Sequence, residues 1–271
     1  MQTIDAVRAI QAVKNGVTRP YILEGNDGYS YFTKFKENPE TSRILANEFV
    51  CAKIAEFLEL PLANPCLIRV DSDFLDLYGD EISTHIDNDM TITTGLHFGT
   101  RKINKAIQIT NSRMLEEAVN VRVIPELILF DQLICNTDRD QNGGNLLFDI
   151  SKMQIVVIDH SHVFDIGPLW DAHQLNLRIG SEFKPFTQNG YIFRKLIHHV
   201  RGNNPFDSIS GKMSRMTNDF LWHIIKEIPD EWLIPEDDKI ALHKYLCDRL
   251  HRISDAFEVL RPSLPFWKGG S

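Results

Sequence analysis

The sequence predicts an α+β fold of two lobes, the first rich in strands and the second mainly helical, and three observations lead there. Short alternating segments separated by turn residues occupy the first part of the chain, apolar residues at helical spacing dominate from about residue 114 onward, and a polar Asp/Asn/Gly loop followed by a short hairpin lies near the junction. The expected lobes are residues 1–100 and 101–271.

Residues 20–36 read as a β-hairpin: PYILE, the turn Gly25-Asn26-Asp27-Gly28, then YSYFTKFK. The Asn-Asp-Gly turn supplies the positive-φ positions a hairpin needs. Alternation in the second strand sets Phe32, Lys34 and Lys36 on one face and Tyr31, Thr33 and Phe35 on the other. Residues 41–59, TSRILANEFVCAKIAEFLE, carry a Thr/Ser start signal and helical apolar spacing. NPCLIRVD and TITTGLHFGT read as further strands. From about 114 to 135 the pattern is helical, with Pro125 starting or kinking its later part. The loop NTDRDQNGGN, the strand LLFD and the apolar strand MQIVVID follow. Beyond residue 165 helices are expected, closing with one long helix at about 236–260 whose Lys239, Lys244, Asp248 and Arg249 read as a solvated face.

At 271 residues, 43% hydrophobic and 24% charged, the chain can bury a substantial core. A net charge of −8 implies no broad nucleic-acid-binding surface. Cys51, Cys66, Cys135 and Cys247 contain no CxxC pair, which argues for reduced thiols rather than a zinc ribbon or a secreted disulfide framework. MQTIDAVRAIQAVKNG lacks the apolar run of a signal peptide, and no window reaches a membrane span, so a cytoplasmic protein is expected.

The chemistry concentrates in two stretches, Asn136-Thr137-Asp138-Arg139-Asp140-Gln141-Asn142-Gly143-Gly144-Asn145-Leu146-Leu147-Phe148 and Ile155-Val156-Val157-Ile158-Asp159-His160-Ser161. A polar loop, a hairpin and an Asp directly after a buried strand supply what phosphoryl transfer requires. One carboxylate orients the attacking hydroxyl, while an Asn and a second carboxylate hold metal on the nucleotide phosphates. Magnesium needs only a few hard oxygen ligands from the protein. Upstream, Lys34 ends an alternating strand, and Glu48 shares the inward helix face with Ile44, Leu45, Cys51 and Ala52. A charge there is costly unless paired. Lys34 held by Glu48 would position nucleotide phosphates. The turn Gly25, Asn26, Asp27, Gly28, Tyr29 and Ser30 either folds over those phosphates with its backbone N–H groups or is an ordinary hairpin turn.

His160 with His162, and His198 with His199, have no Cys or further His at zinc-ligand spacing. Ser161 lacks the GxSxG elbow of a hydrolase nucleophile.

The elements YFTKFK, LANEFVCAKIAEFLELP, FDQLICNTDRDQNGGNLLF and VVIDHSHVF resemble the HipA-like kinase family, and more closely its shorter branch, over about residues 17–165. The loop is also similar to that of phosphatidylinositol kinases. The resemblance implies a protein-kinase-like fold and use of ATP and Mg2+, with Asp138 as catalytic base, Asn145 and Asp159 as metal ligands and Lys34 as the phosphate-binding lysine. In many members the metal-binding Asn follows the catalytic Asp by five positions; here position 143 is Gly and Asn145 stands seven after Asp138. Asn142 is therefore an alternative ligand and Asp140 an alternative base, although the place of Asn145 directly before LLF favours Asn145. The resemblance implies a protein serine/threonine kinase, with an antitoxin partner if it acts in a toxin–antitoxin pair. A lipid or small-molecule kinase and an inactive nucleotide-binding module are the alternatives.

Overall fold

A computed structural model describes residues 1–14, 16–87, 90–139, 142–184 and 192–269, with the side chain of Asn142 left undescribed. The chain begins with β1 (Thr3–Ala12), β2 (Tyr21–Gly25) and β3 (Ser30–Lys34), then α1 (Arg43–Phe57), β4 (Pro65–Val70), α2 (Ser72–Ile86) and β5 (Gly95–Arg101). These five strands close a barrel in the order β1-β2-β3-β5-β4, with β1 and β4 parallel and the other pairs antiparallel. The hairpin turns as expected: Gly28 takes φ +78° and its N–H bonds Gly25 O at 2.9 Å. Inside the barrel Ile4, Leu23, Tyr31, Phe35 and Ile68 pack with Phe74, Ile82 and Ile86 of α2.

A second sheet, β6 (Ala106–Gln108), β7 (Leu146–Asp149) and β8 (Gln154–Val157), lies beyond it. Helices α3 (Ser112–Glu116) and α4 (Val123–Leu133) precede β7. After β8 come α5 (Ala172–Asn176), α6 (Phe193–Leu196), α7 (Asp207–Met213), α8 (Asn218–Lys226), α9 (Glu236–His251) and α10 (Asp255–Leu260). The strand-rich first part and helical second part match the α+β expectation.

Helix α1 belongs to the larger core rather than to the barrel interior. Ile44 through Ala52 are all buried; the helix packs against α8, β5 and the 3-10 turns at Gly167–Leu169 and Asp230–Trp232, and shares one buried cluster with residues of α4, β7 and β8. An all-round buried helix fits between two layers, as a central helix does. C-terminal residues reach back as well: Trp232 Nε1 donates to Leu96 O at 2.7 Å, and Lys36 Nζ meets Glu231 Oε2 at 3.1 Å.

The structure corrects three readings. The helical pattern at 114–135 is two helices, separated by a turn at residues 117–122. The closing helix is also two, because α9 ends at His251 and α10 starts at Asp255. Half of the expected solvated face is buried: Lys239 is 6% and Arg249 1% exposed, whereas Lys244 is exposed and Asp248 partly so. Arg249 donates to the carbonyls of Gln132 and Leu133 at the end of α4, and its guanidinium lies 3.6 Å from the Phe183 ring centre. A cation capping a helix C-terminus satisfies orphan carbonyls and favours the helix dipole, which offsets its burial.

Candidate active site

Buried Ile155, Val156 and Val157 make β8 a rigid support, and Val157 N–H bonds Pro61 O at 2.7 Å. Just past the strand the backbone turns left-handed at Asp159, φ +58°. Asn145, at φ +47°, makes the corresponding turn into β7, and its carbonyl accepts from Ile158 N–H at 3.1 Å. Positive φ in non-glycine residues carries strain that a well-fixed surrounding must hold. Here the hairpin β7–β8 and the link between Asn145 and Ile158 do so.

Lys34, at the end of β3, connects the two halves. Its Nζ lies 2.5 Å from Glu48 Oε1, 2.8 Å from Asp159 Oδ1 and 2.7 Å from Ser161 Oγ. Glu48 is 3% exposed and also accepts from the N–H of His160 at 3.0 Å and the hydroxyl of Ser161 at 3.0 Å. Its neighbour Asn47 donates to Ser161 O at 2.6 Å and accepts from Trp170 Nε1 at 2.7 Å. Two adjacent polar residues on a buried helix thus fix the segment after Asp159. Burial disfavours the Lys34 ammonium, but the charges of Asp159 and Glu48 outweigh it and raise its pKa. Asp159 also feels its burial, yet Lys34 draws it below the usual carboxylate range. Burial pushes Glu48 up despite the pull of Lys34.

A second buried network fixes the loop carrying Asp138. Arg139 is 1% exposed and grips Asp131 with two bonds, Nε to Oδ2 at 2.8 Å and Nη2 to Oδ1 at 3.0 Å. Its Nη1 donates to the carbonyls of Gly144 and Asn145 at 2.9 and 3.0 Å. Asn136 Nδ2 donates to Asp131 Oδ1 at 2.9 Å, and Asn136 Oδ1 accepts from Asp138 N–H at 3.1 Å. Asp138 is therefore held by its own backbone, and its Oδ2 accepts from Asn145 Nδ2 at 2.9 Å. The seven-residue spacing is accommodated by a single 3-10 turn at Asn142–Asn145. Gly144 takes φ +81°, and a Cβ there would lie 2.6 Å from Ile192, so only glycine suits this position.

Asp138, Asn145, Asp159 and Ser161 line one cleft of about 680 Å³. Opposite them stand Gly16, Val17 and Thr18, from the loop joining β1 to β2. The structure does not bring the Gly25–Ser30 turn to this cleft. Tyr21 pairs with Thr33, so Lys34 sits at the end of the sheet that the β1–β2 loop closes. The turn occupies the other end of β3, about 13 Å away for a five-residue strand. There Gly25, Asn26 and Asp27 are tied to β1 and to their own hairpin, with Asn26 N–H on Asp5 O at 2.8 Å. Gly28, Tyr29 and Ser30 line a different cleft. Asp140 lies outside the described residues, and so does the side chain of Asn142.

Sequence reasoning missed the β1–β2 loop and the part played by Ser161. The Gly-Val-Thr run before Pro20 was a signal for the first; the second depends on contacts far apart in the chain. Of the histidines, His160 is buried, and burial together with the Arg139 charge lowers it to about 3, leaving the ring neutral.

The donor set suits a small hard cation. Asp159 offers a carboxylate and Asn145 an amide oxygen, and among the described residues no cluster of three His, Cys, Asp or Glu side chains competes as a metal site.

Among solved structures the chain is similar to the Helicobacter pylori proinflammatory kinase CtkA, with a TM-score of 0.55 at 16% identity, covering 97% of this chain and 99% of that one. The likeness shows a shared fold. The Golgi casein kinase is a more distant match, with a TM-score of 0.43 at 10% identity over 95% of this chain and 73% of that one. No curated protein matches in sequence. The family model described as HipA-like kinase matches residues 6–261. On that match, which spans both sheets and the helices after them, the chain belongs to the HipA-like kinase family.

Proposed function

We propose that the protein transfers the γ-phosphoryl group of ATP, with Mg2+, to a hydroxyl group, most favourably a serine or threonine of a protein. The observation that carries this reading is the convergence of Asp138, Asn145 and Asp159 on one cleft, with Lys34 bonded to both Asp159 and Glu48. Asp138 orients the attacking hydroxyl and takes up its proton; Asn145 fixes the carboxylate through Oδ2. Lys34 holds phosphate oxygens, kept in place by Glu48 after Asp159 turns from it. Asn145 and Asp159 would hold Mg2+, which when bound neutralises charge on the phosphates. The Gly16–Thr18 loop covers the phosphates in place of the Gly25–Ser30 turn, since it lines the same cleft. The 2.9 Å bond between Asn145 and Asp138 keeps base and ligand together despite the longer loop, which favours a catalyst over an inactive binding module.

Incubation of the protein with γ-labelled ATP and Mg2+, alone, with cell lysate and with lipid, tests this. Label in serine or threonine is expected. Label confined to lipid or a small molecule would move the substrate class, and binding without any transfer would leave a nucleotide-binding module.

A further inference from the structure

A second cleft, of about 500 Å³, shares no described lining residue with the Asp138 cleft. Its walls come from the β2–β3 turn, from residues 62–64, from the segment joining β5 to β6, and from the β7–β8 turn. Four cations line it: Arg101, Lys102, Lys105 and Lys152. In a chain of net charge −8 that concentration stands out, and none of the four makes an ion pair among the described residues. Among the described lining residues the one carboxylate is Asp149; it accepts from the N–H and hydroxyl of Ser151, at 2.9 and 2.5 Å, and also feels the Lys152 charge.

The walls are held in place before any ligand arrives. Lys102 N–H bonds Ser30 O at 2.8 Å, Arg101 N–H bonds Ala63 O at 2.8 Å, and Ile150 N–H bonds Lys105 O at 2.9 Å. The Arg101 guanidinium is stacked on the Tyr29 ring, 3.0 Å from its centre, which fixes its plane. Cations around a low-dielectric concavity focus the field and raise the local concentration of anions. The volume falls in the range of small-molecule sites, and four chain segments line the cleft, with Lys102, Lys105 and Lys152 exposed at it, a more confined arrangement than the broad basic face that a nucleic-acid backbone needs.

We infer that this rear cleft binds a small phosphorylated anion carrying two or more negative charges, clasped between the barrel and the second sheet by Arg101, Lys102, Lys105 and Lys152. The inference is independent of phosphotransfer in the Asp138 cleft. The phosphate can belong to a free molecule or to a lipid headgroup, and the test separates these sources.

The full chain is titrated calorimetrically with inorganic pyrophosphate, with EDTA present, and in parallel assayed for co-sedimentation with phosphatidylcholine vesicles with and without phosphatidylinositol phosphate. Saturable binding is expected, weakened at least about tenfold in the K102Q/K105Q/K152Q variant and unchanged in Asp159→Asn, because multiple charge-assisted bonds are lost only in the former. Hydrogen exchange should slow at residues 101–105 and 149–154 on binding. Binding only to the phosphoinositide vesicles, lost in the same triple variant, assigns the phosphate to a headgroup. The inference is overturned if neither probe binds, or if the triple variant, with an unchanged melting temperature, binds as the parent does.

Discussion

Two buried charge networks lie within a few residues of each other and differ in kind. The Arg139 network is closed: Arg139 and Asp131 are each 1% exposed in their side chains, and their bonds go to one another, to Asn136, to loop carbonyls and to the buried His160 ring. The Lys34 network is open on one side. Glu48 is buried, but the Asp159 side chain is 39% exposed and lines the cleft. A closed ion pair can only hold a loop in place. An open one can give up a partner, so in the proposed reaction Asp159 would turn to the metal while Glu48 and Ser161 keep Lys34. His160 stands between the two, its N–H on Glu48 and its ring 3.5 Å from Arg139 Nη2.

That contrast predicts its largest effect at the closed network. Arg139→Ala leaves Asp131 buried without its cation and should cost about 3–5 kcal/mol of stability by denaturant unfolding. Replacing both partners, Asp131→Leu with Arg139→Met, should recover much of that loss. If the single variant loses under about 1 kcal/mol, the network is not closed as described.

Lys34→Ala should show the reverse balance. Removing one preorganised cation beside the transferring phosphate should lower transfer by about 10²–10³-fold. The stability loss should stay below about 2 kcal/mol, because Glu48 keeps the His160 N–H and the Ser161 hydroxyl and its raised pKa lets it take up a proton. Lys36 is engaged by Thr94 O and Glu231, so Lys36→Ala should leave transfer nearly unchanged. The opposite result would make Lys36 the phosphate-binding lysine.

A buried polar group outside both networks gives the smallest effect. His97 is fully buried, accepts from Lys36 N–H at 3.2 Å, and is lowered to about 3 by burial and the Lys36 charge. Its unfolded value is near 6.5, so the unfolded chain binds the proton first and stability falls as pH drops from about 6.5 toward 3. Between pH 7 and pH 5 this group should remove about 2 kcal/mol. Unfolding of His97→Gln at both pH values should show a pH dependence smaller by that amount; an equal dependence would place the acid sensitivity elsewhere.

Much of this was legible because it is local. The Asn-Asp-Gly turn, the alternation of YSYFTKF and the apolar run before Asp159 are short-range signals, and β2, β3, α1, β4, β5, β7 and β8 followed from such patterns. Strand β1 did not, because two register shifts, between Ala6 and Arg8 and between Ala9 and Gln11, break its alternation. Helix α2 buries only Phe74, Ile82 and Ile86, too few to stand out among its acidic residues. The distance of the Gly25–Ser30 turn from the Asp138 cleft has the same origin. The Gly25–Ser30 turn is rich in turn residues, whereas which end of the sheet closes over Lys34 depends on strand pairing, which no local pattern encodes. Arg249 looked like a surface charge because its partners, the α4 carbonyls, are more than a hundred residues away.

The central claim, that the Asp138 cleft transfers phosphate, is tested most directly by comparing Asp138→Asn with Asp159→Asn in ATP–Mg2+ titration calorimetry beside a transfer assay. A base acts mainly in the transition state, so Asp138→Asn should bind ATP–Mg2+ nearly as the parent does while transfer falls by about 10²–10⁴-fold. Asp159→Asn should lose both, since an anionic metal ligand is gone. Full transfer by Asp138→Asn, or unchanged ATP–Mg2+ binding by Asp159→Asn, would contradict the account.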